Sequence, residues 1–221
     1  MKKGRITGGY LRSRILELPR GNFTRPSSDF IKESIFNVLL NRFDINFDKT
    51  TVFDLFAGSG AFGIESISRG CKNAIFIDNQ IDSVECIKRN VRTLGINEIS
   101  TILLQDVEML SECRIASLAG SYEIVLLFMD PPYCKKELLL SQIKRIRNIF
   151  HYIKRLLFVI ETNDSSLCES EDYIDPSLNL SESELTQQLD SEWKAHRIKH
   201  GNTYVFFFGM NGLDDHIKSS R

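Results

Sequence analysis

Asp54-Leu55-Phe56-Ala57-Gly58-Ser59-Gly60-Ala61-Phe62-Gly63 is the stretch whose reading decides the fold. It leaves a β-prone run over residues 51–56 and enters a helical one over 61–69. Gly58, Gly60 and Gly63 fit G-x-G-x-x-G, the spacing of a backbone that turns sharply and approaches a ligand closely. Asp78 ends the next expected strand, 20 residues beyond Gly58, where a carboxylate can accept hydrogen bonds from ribose hydroxyls. Two chemistries share this pattern. Nicotinamide enzymes place a pyrophosphate at the helix N-terminus, and methyltransferases lay the methionine part of S-adenosylmethionine along a similar loop. Asp54 favours the second, because a carboxylate at the strand end repels a pyrophosphate and suits ammonium and sulfonium charges. The candidate cofactor residues are therefore Asp54, Phe56, Ala57, Gly58, Ser59, Gly60, Gly63 and Asp78. Asp106, after the third strand, joins them as an acceptor for an adenine amine, or equally as the N-cap of the following helix.

Outward from this loop, strands and helices alternate. Residues 74–78, 100–104, 124–129 and 156–160 read as strands, and 82–94 and 138–152 as helices. Residues 124–129 are apolar without alternation, as in a strand buried on both faces. The pattern predicts an α/β, Rossmann-like fold with a mostly parallel, doubly wound sheet. Residues 193–198 and 204–208, joined by His200-Gly201-Asn202, read as a terminal antiparallel strand pair. Upstream, apolar residues from Phe30 to Leu39 recur at helical spacing behind a turn at 24–29. Arg5-Ile6-Thr7 and Tyr10-Leu11-Arg12 flank Gly8-Gly9 and read as a hairpin. The expected division is a basic hairpin extension over 1–23, a methyltransferase domain over 24–212 with an acidic loop at 163–191, and a polar tail over 213–221.

Asp130-Pro131-Pro132-Tyr133 follows the fourth strand. Two prolines hold the backbone rigid and remove two amide donors. An exocyclic base amine is a poor nucleophile, its lone pair delocalised into the ring. It needs two acceptors to orient its hydrogens and present that lone pair to a methyl group. The Asp130 carboxylate and the Pro131 carbonyl can supply them, and Tyr133 can stack on the base. The reaction would be an in-line displacement assisted by positioning and electrostatics. Asp130, Pro131, Pro132 and Tyr133 are the candidate catalytic residues, and they argue against hydride transfer.

The 221 residues carry 28 Lys and Arg against 29 Asp and Glu, a formal net charge of −1. Residues 1–25 depart from this balance, with seven basic side chains against the single acid Glu17. A basic arm on an acidic body suits phosphate binding, or is a solvated tail. Lys144, Arg145, Arg147, Lys154 and Arg155 read as a solvated basic face. Five widely spaced cysteines and four unclustered histidines predict neither a disulfide framework nor a metal site. No apolar run nears the roughly 18 residues of a membrane span, and no apolar segment follows the N-terminus. The expected compartment is the cytoplasm.

These residues resemble the D-P-P-Y amino-methyltransferases and, more closely, the bacterial 16S ribosomal RNA guanine-N2 methyltransferases of the RsmD type. Four segments carry the resemblance: Arg5 to Gly9 with Arg12 and Arg14; Thr24-Arg25-Pro26-Ser27-Ser28-Asp29 running on to Asn37; Phe53 to Gly60, through Gly63 and Glu65; and Met129-Asp130-Pro131-Pro132-Tyr133. Gly201-Asn202-Thr203-Tyr204 is similar to a family ending. The resemblance implies S-adenosylmethionine as cofactor, and a guanine of 16S ribosomal RNA or of an assembling small subunit as substrate. It also implies an RNA-binding N-terminal hairpin, with Arg5, Arg12, Arg14 and Arg25 as RNA contacts. Asp78 stands where the family commonly has Glu, and the acidic segment 163–191 is longer than expected. Adenine-N6 or cytosine-N4 methylation of DNA is the alternative within the same chemistry. A non-catalytic RNA-binding module on the same fold is a remoter one.

Overall fold

The computed structural model describes residues 4–19, 29–130, 155–162, 193–201 and 203–210. A two-stranded hairpin, β1 (Gly4–Arg5) and β2 (Ile15–Leu16), precedes helix α1 (Asp29–Asn41). Then come β3 (Thr50–Leu55), α2 (Ala61–Ser68), β4 (Asn73–Asp78), α3 (Ile81–Leu94), β5 (Ser100–Leu104), α4 (Glu112–Ala119) and β6 (Ile124–Met129). The described chain ends with β7 (Arg155–Thr162), β8 (Trp193–His200) and β9 (Thr203–Met210). The seven later strands form one sheet in the order β5-β4-β3-β6-β7-β9-β8. Pairing is parallel from β5 to β7 and antiparallel where β9 joins β7 and β8. This is the doubly wound sheet with a terminal antiparallel pair that the alternation predicts. The chain winds one way from β3 through β4 to β5, then returns to place β6 on the other side of β3. That reversal opens a crevice at the C-terminal ends of β3 and β6, where such sheets bind ligands.

Every residue of β3 and β6 is buried, so each strand feeds two cores. On one face Val52, Phe76, Leu126, Phe128, Val159 and Val205 pack with α1, α2 and α3. The Phe128 ring stacks on Phe62 with centroids 4.8 Å apart and tilts against Phe36 at 5.6 Å, fastening both α2 and α1 to β6. On the other face Phe53, Ile75, Leu127, Met129 and Phe158 pack with Ile115 and Ala119 of α4. Burying each such large apolar side chain contributes about 1.5–3 kcal/mol. Helix α3 shows why these segments are helical: Val84, Ile87 and Val91 repeat at three- and four-residue intervals on its buried side. It stops at Gly95, which takes the left-handed conformation (φ 68°) that closes helices.

Three details differ from the sequence expectations. Helix α4 is short and weakly patterned, and the helix expected after Asp106 has no range in the sequence reading; Ser111, not Asp106, caps it by accepting a hydrogen bond from the Arg114 amide. The hairpin strands lie at Gly4–Arg5 and Ile15–Leu16, not at 5–7 and 10–12, so Gly8-Gly9 is not the hairpin turn. Four amides between the strands are satisfied by α2 instead: Thr7 and Gly8 donate to the Glu65 carboxylate, Tyr10 to the Ser68 carbonyl and Leu11 to the Ser68 hydroxyl. Arg155, read as part of a solvated face, is half-buried and donates to the Phe43 carbonyl at 2.7 Å. The helix expected at 138–152 and the acidic loop at 163–191 lie outside the described residues. Among the described residues no helix is long and apolar enough to cross a membrane, and no group of three or more His, Cys, Asp or Glu is placed to hold a metal ion.

Candidate active site

The glycine loop begins with Phe56 in the left-handed conformation (φ 61°), followed by Gly58 (φ 56°) and Gly60 (φ 78°). Three left-handed residues in five fold the chain back from β3 into α2, a path open to glycine and costly for Phe56. Ala57 donates to the Ile77 carbonyl at 3.0 Å and Gly60 to the Ala57 carbonyl at 2.7 Å, which ties the loop to β4. Gly63 serves packing: a Cβ there would lie 2.3 Å from the Phe76 ring. Asn90 of α3 supports the loop from below by donating to the Ser59 carbonyl at 3.0 Å.

Two carboxylates are locked into this loop. Asp78, buried at the end of β4, accepts from the Gly58 amide through one oxygen and from the Gln80 amide through the other, both at 2.8 Å. Asp54, buried in β3, accepts from the Gly63 amide at 2.9 Å. Burial pushes the Asp54 carboxyl up to about 7; the Gly63 and Phe62 amides oppose that rise and nearby Asp78 adds to it. Asp106 caps the short 3-10 turn Val107–Met109, accepting from the Glu108 amide at 2.8 Å and from the Asn79 side chain at 3.2 Å. The capping alternative therefore has its geometry, and one oxygen faces Asn79 at the crevice edge.

Asp130 follows β6 directly. Asp54 lies opposite Phe128 in the β3–β6 register, and Met129 opposite Ile160 in the β6–β7 register. Asp54, Asp130 and Glu161 therefore leave three adjacent strands on one face, the face of Val52, Phe128 and Val159. Burial first, then Glu161, then Asp54, hold the Asp130 carboxyl well above the usual carboxylate range. Three crowded acids, two of them held up by burial, favour a cation or a set of hydrogen-bond donors between them and disfavour a phosphate. Pro131, Pro132, Tyr133 and Arg25 lie outside the described residues. His200, at the end of β8 on the same face, meets Phe30 edge-on at 4.8 Å, and its buried Nε2 has no hydrogen-bond partner among the described residues.

The hairpin presents its arginines outward. Arg12 and Arg14 are exposed, and Arg5 lies 3.8 Å from Asp29. Tyr10 and Ile15, on either side of Arg12 and Arg14 in the chain, are exposed as well, at 67% and 56%. An exposed aromatic beside two arginines is the composition of a surface that stacks bases and neutralises phosphates. Beneath the hairpin lies a buried polar hub to which no local sequence pattern assigns a role. Glu65, fully buried, accepts from the Thr7 amide and hydroxyl and the Gly8 amide, each at 2.8 Å, and pairs with Arg69 at 3.0 Å. Lys32, 1% exposed, donates to the Arg5 carbonyl and lies 4.0 Å from Glu65. Its signal was legible as a lysine on the apolar side of α1, between Ile31 and Ile35.

A seven-stranded, doubly wound sheet with a glycine loop and strand-end acids at its switch point defines the Rossmann-like methyltransferase fold. The comparisons narrow this. The sequence model of the family described as Conserved hypothetical protein 95 matches residues 4–175, and the chain belongs to that family, the RsmD-type methyltransferases. A Bacillus subtilis protein named "Putative rRNA methyltransferase YlbH" is 35% identical over 134 residues, covering 61% of this chain and 69% of the relative. "Ribosomal RNA small subunit methyltransferase D" of Escherichia coli K12 is 31% identical over 129 residues, 58% of this chain and 60% of the relative. Among solved structures, a "Putative methyltransferase yhhF from Escherichia coli" superposes with a TM-score of 0.66 at 23% identity, covering 96% of this chain and 99% of that one.

Proposed function

We propose that this protein transfers a methyl group from S-adenosylmethionine to the exocyclic N2 amine of a guanine in small-subunit (16S) ribosomal RNA, free or in an assembling subunit, in the cytoplasm. The observation that carries the reading is Asp130 at the C-terminal end of β6, beside Asp54 and at the head of Asp130-Pro131-Pro132-Tyr133. The names of the relatives supply the RNA. When bound, S-adenosylmethionine supplies an electrophilic methyl group. Asp54 would face its cationic part, Asp78 its ribose, Asp106 its adenine, and residues 56–60 with Gly63 would form the floor. Asp130 and the Pro131 carbonyl would accept the two amine hydrogens, and Tyr133 would stack on the base. Arg5, Arg12, Arg14 and Arg25 would hold phosphates.

The test is methyl transfer from labelled S-adenosylmethionine to small subunits lacking the modification, followed by nuclease digestion. N2-methylguanine is the expected product. Label on adenine or cytosine, or on duplex DNA in a parallel reaction, would favour the amino-methyltransferase alternatives instead.

Cofactor affinity should depend on pH through Asp54. Its carboxyl carries a proton up to about pH 7, and a bound cation favours the ionised form. Binding below that pH therefore releases a proton, so affinity rises with pH up to about 7 and levels off above it. The slope is at most about tenfold per pH unit. Calorimetry between pH 5.5 and 8.5 checks this, and Asp54→Asn should flatten the profile.

Replacing both Arg12 and Arg14 with alanine should weaken RNA binding at low salt and reduce the slope of log affinity against log salt by about 1–2. An unchanged slope would leave the hairpin without its proposed task.

A further inference from the structure

The reaction assigned above needs acceptors for the two amine hydrogens only, and Asp130 with the Pro131 carbonyl suffices. Glu161 is a further carboxylate that this chemistry does not use. Its place is set by the sheet. Met129 and Ile160 are partners in the parallel β6–β7 ladder, so Asp130 and Glu161 leave neighbouring strands side by side. Such strands lie about 4.8 Å apart. Both side chains belong to the face of Phe128 and Val159, because side chains alternate along a strand. On its other side Glu161 pairs with Val205 of β9, whose side chain belongs to the same core. The end of β7 thus offers an acid to whatever Asp130 holds, on the side away from Asp54.

The three exocyclic amines that an Asp-Pro-Pro-Tyr motif can serve differ in what stands next to them on the ring. Beside the guanine N2 amine is N1–H, a donor parallel to one amine hydrogen. Beside the adenine N6 amine is N1, and beside the cytosine N4 amine is N3, both bare lone pairs. Two carboxylates in a row match two parallel donors, whereas a lone pair facing a carboxylate is repelled.

We propose that Glu161 is the specificity-determining residue of this site, accepting the guanine N1–H while Asp130 accepts from the N2 amine. The inference rests on the guanine reading above. Burial first, then Glu161 and Asp54, hold the Asp130 carboxyl up, and this agrees with it, since hydrogen-bond donors on a bound ring favour the charged form of crowded carboxylates. Glu161 positions and selects the base, and the methyl acceptor remains N2.

The test uses the full chain, labelled S-adenosylmethionine and small-subunit RNA, once digestion has located the labelled guanine. A second RNA carries 2-aminopurine at that position, which keeps the N2 amine but presents a bare lone pair at N1. Wild-type protein should prefer guanine strongly. Glu161→Gln should lower kcat/KM for guanine by about 10–100-fold, because its amide accepts less strongly than a carboxylate. It should lose little on 2-aminopurine, to which the amide can donate, so the preference falls at least tenfold. Glu161→Asp should keep the preference at a reduced rate. S-adenosylmethionine affinity, unchanged in both variants, separates loss of base reading from loss of fold; Glu161→Ala serves if Glu161→Gln fails that control. Equal losses on the two RNAs, or an unchanged preference, overturn the assignment. A wild-type protein that binds S-adenosylmethionine but labels no guanine overturns the guanine reading itself, and this inference with it.

Discussion

Asp130→Ala is expected to lower methyl transfer by about 10²–10³-fold or more while leaving S-adenosylmethionine affinity near wild type. The magnitude follows from removing one preorganised group aimed at the reacting centre in a water-poor crevice. An amine held by the Pro131 carbonyl alone can rotate, and its lone pair returns to conjugation with the ring. The fold should tolerate the change well. Asp130 is one of three acids crowded on one face, and its carboxyl is held up by burial, Glu161 and Asp54. Deleting it relieves the repulsion from Glu161 and Asp54. Single-turnover transfer to small subunits, with calorimetry for the cofactor and a thermal melt, separates these effects. Turnover near wild type would remove Asp130 from the chemistry, and a large loss of cofactor affinity would reassign it to the cofactor.

Glu65→Ala should produce the largest loss of stability, about 3–5 kcal/mol, the scale for stripping one partner from a buried ion pair. Glu65 is fully buried and receives the Thr7 amide, the Thr7 hydroxyl, the Gly8 amide and Arg69. Without it, Arg69 and Lys32 remain beneath the hairpin with their charges poorly matched. Burial already pulls the Lys32 ammonium below its usual range, while Glu65 and Asp29 push it back up. For a chain of this size the melting temperature should fall by roughly 10 °C. The hairpin should also loosen, so trypsin should cut faster at Arg12 and Arg14. Glu65→Gln should fall between the two, since an amide oxygen accepts but carries no charge. A melting temperature within about 2 °C of wild type would show that Ser68 and the apolar anchors Ile6 and Leu16 hold the hairpin without Glu65.

The loss in this second case comes from long-range pairing that local patterns do not encode. Glu65 was visible as an acid in an apolar helix and Lys32 as a lysine on an apolar stripe, but nothing in either segment says that they meet. Gly8-Gly9 misled in the same way. A two-residue turn is the local solution for such a pair, but here the Ser68 carbonyl lies where a Gly9 Cβ would stand, 1.7 Å away. The glycines make room for α2 and do not close a hairpin. Helix α4 had no range in the sequence because its apolar side is only a few residues wide and its capping signal, Ser111, is common in loops.

The parallel sheet, its strand ends and the antiparallel closure were determined by the sequence alone, because apolar periodicity and glycine spacing are local and the central strands bury both faces. The glycine loop with Asp54 and Asp78, and Asp130 at the head of its motif, were legible for the same reason: each stands at a strand end, where the chain must turn. Only the tertiary structure decided which of these ends are neighbours. Strand order placed β6 beside β3 and β7 beside β6, and register brought Asp54, Asp130 and Glu161 onto one face. Register is a cooperative property of paired strands more than 20 residues apart in the chain, since a slip of one residue turns every side chain to the opposite face. Glu161 read by itself is an acid at the end of a strand; beside Asp130 it becomes part of a site.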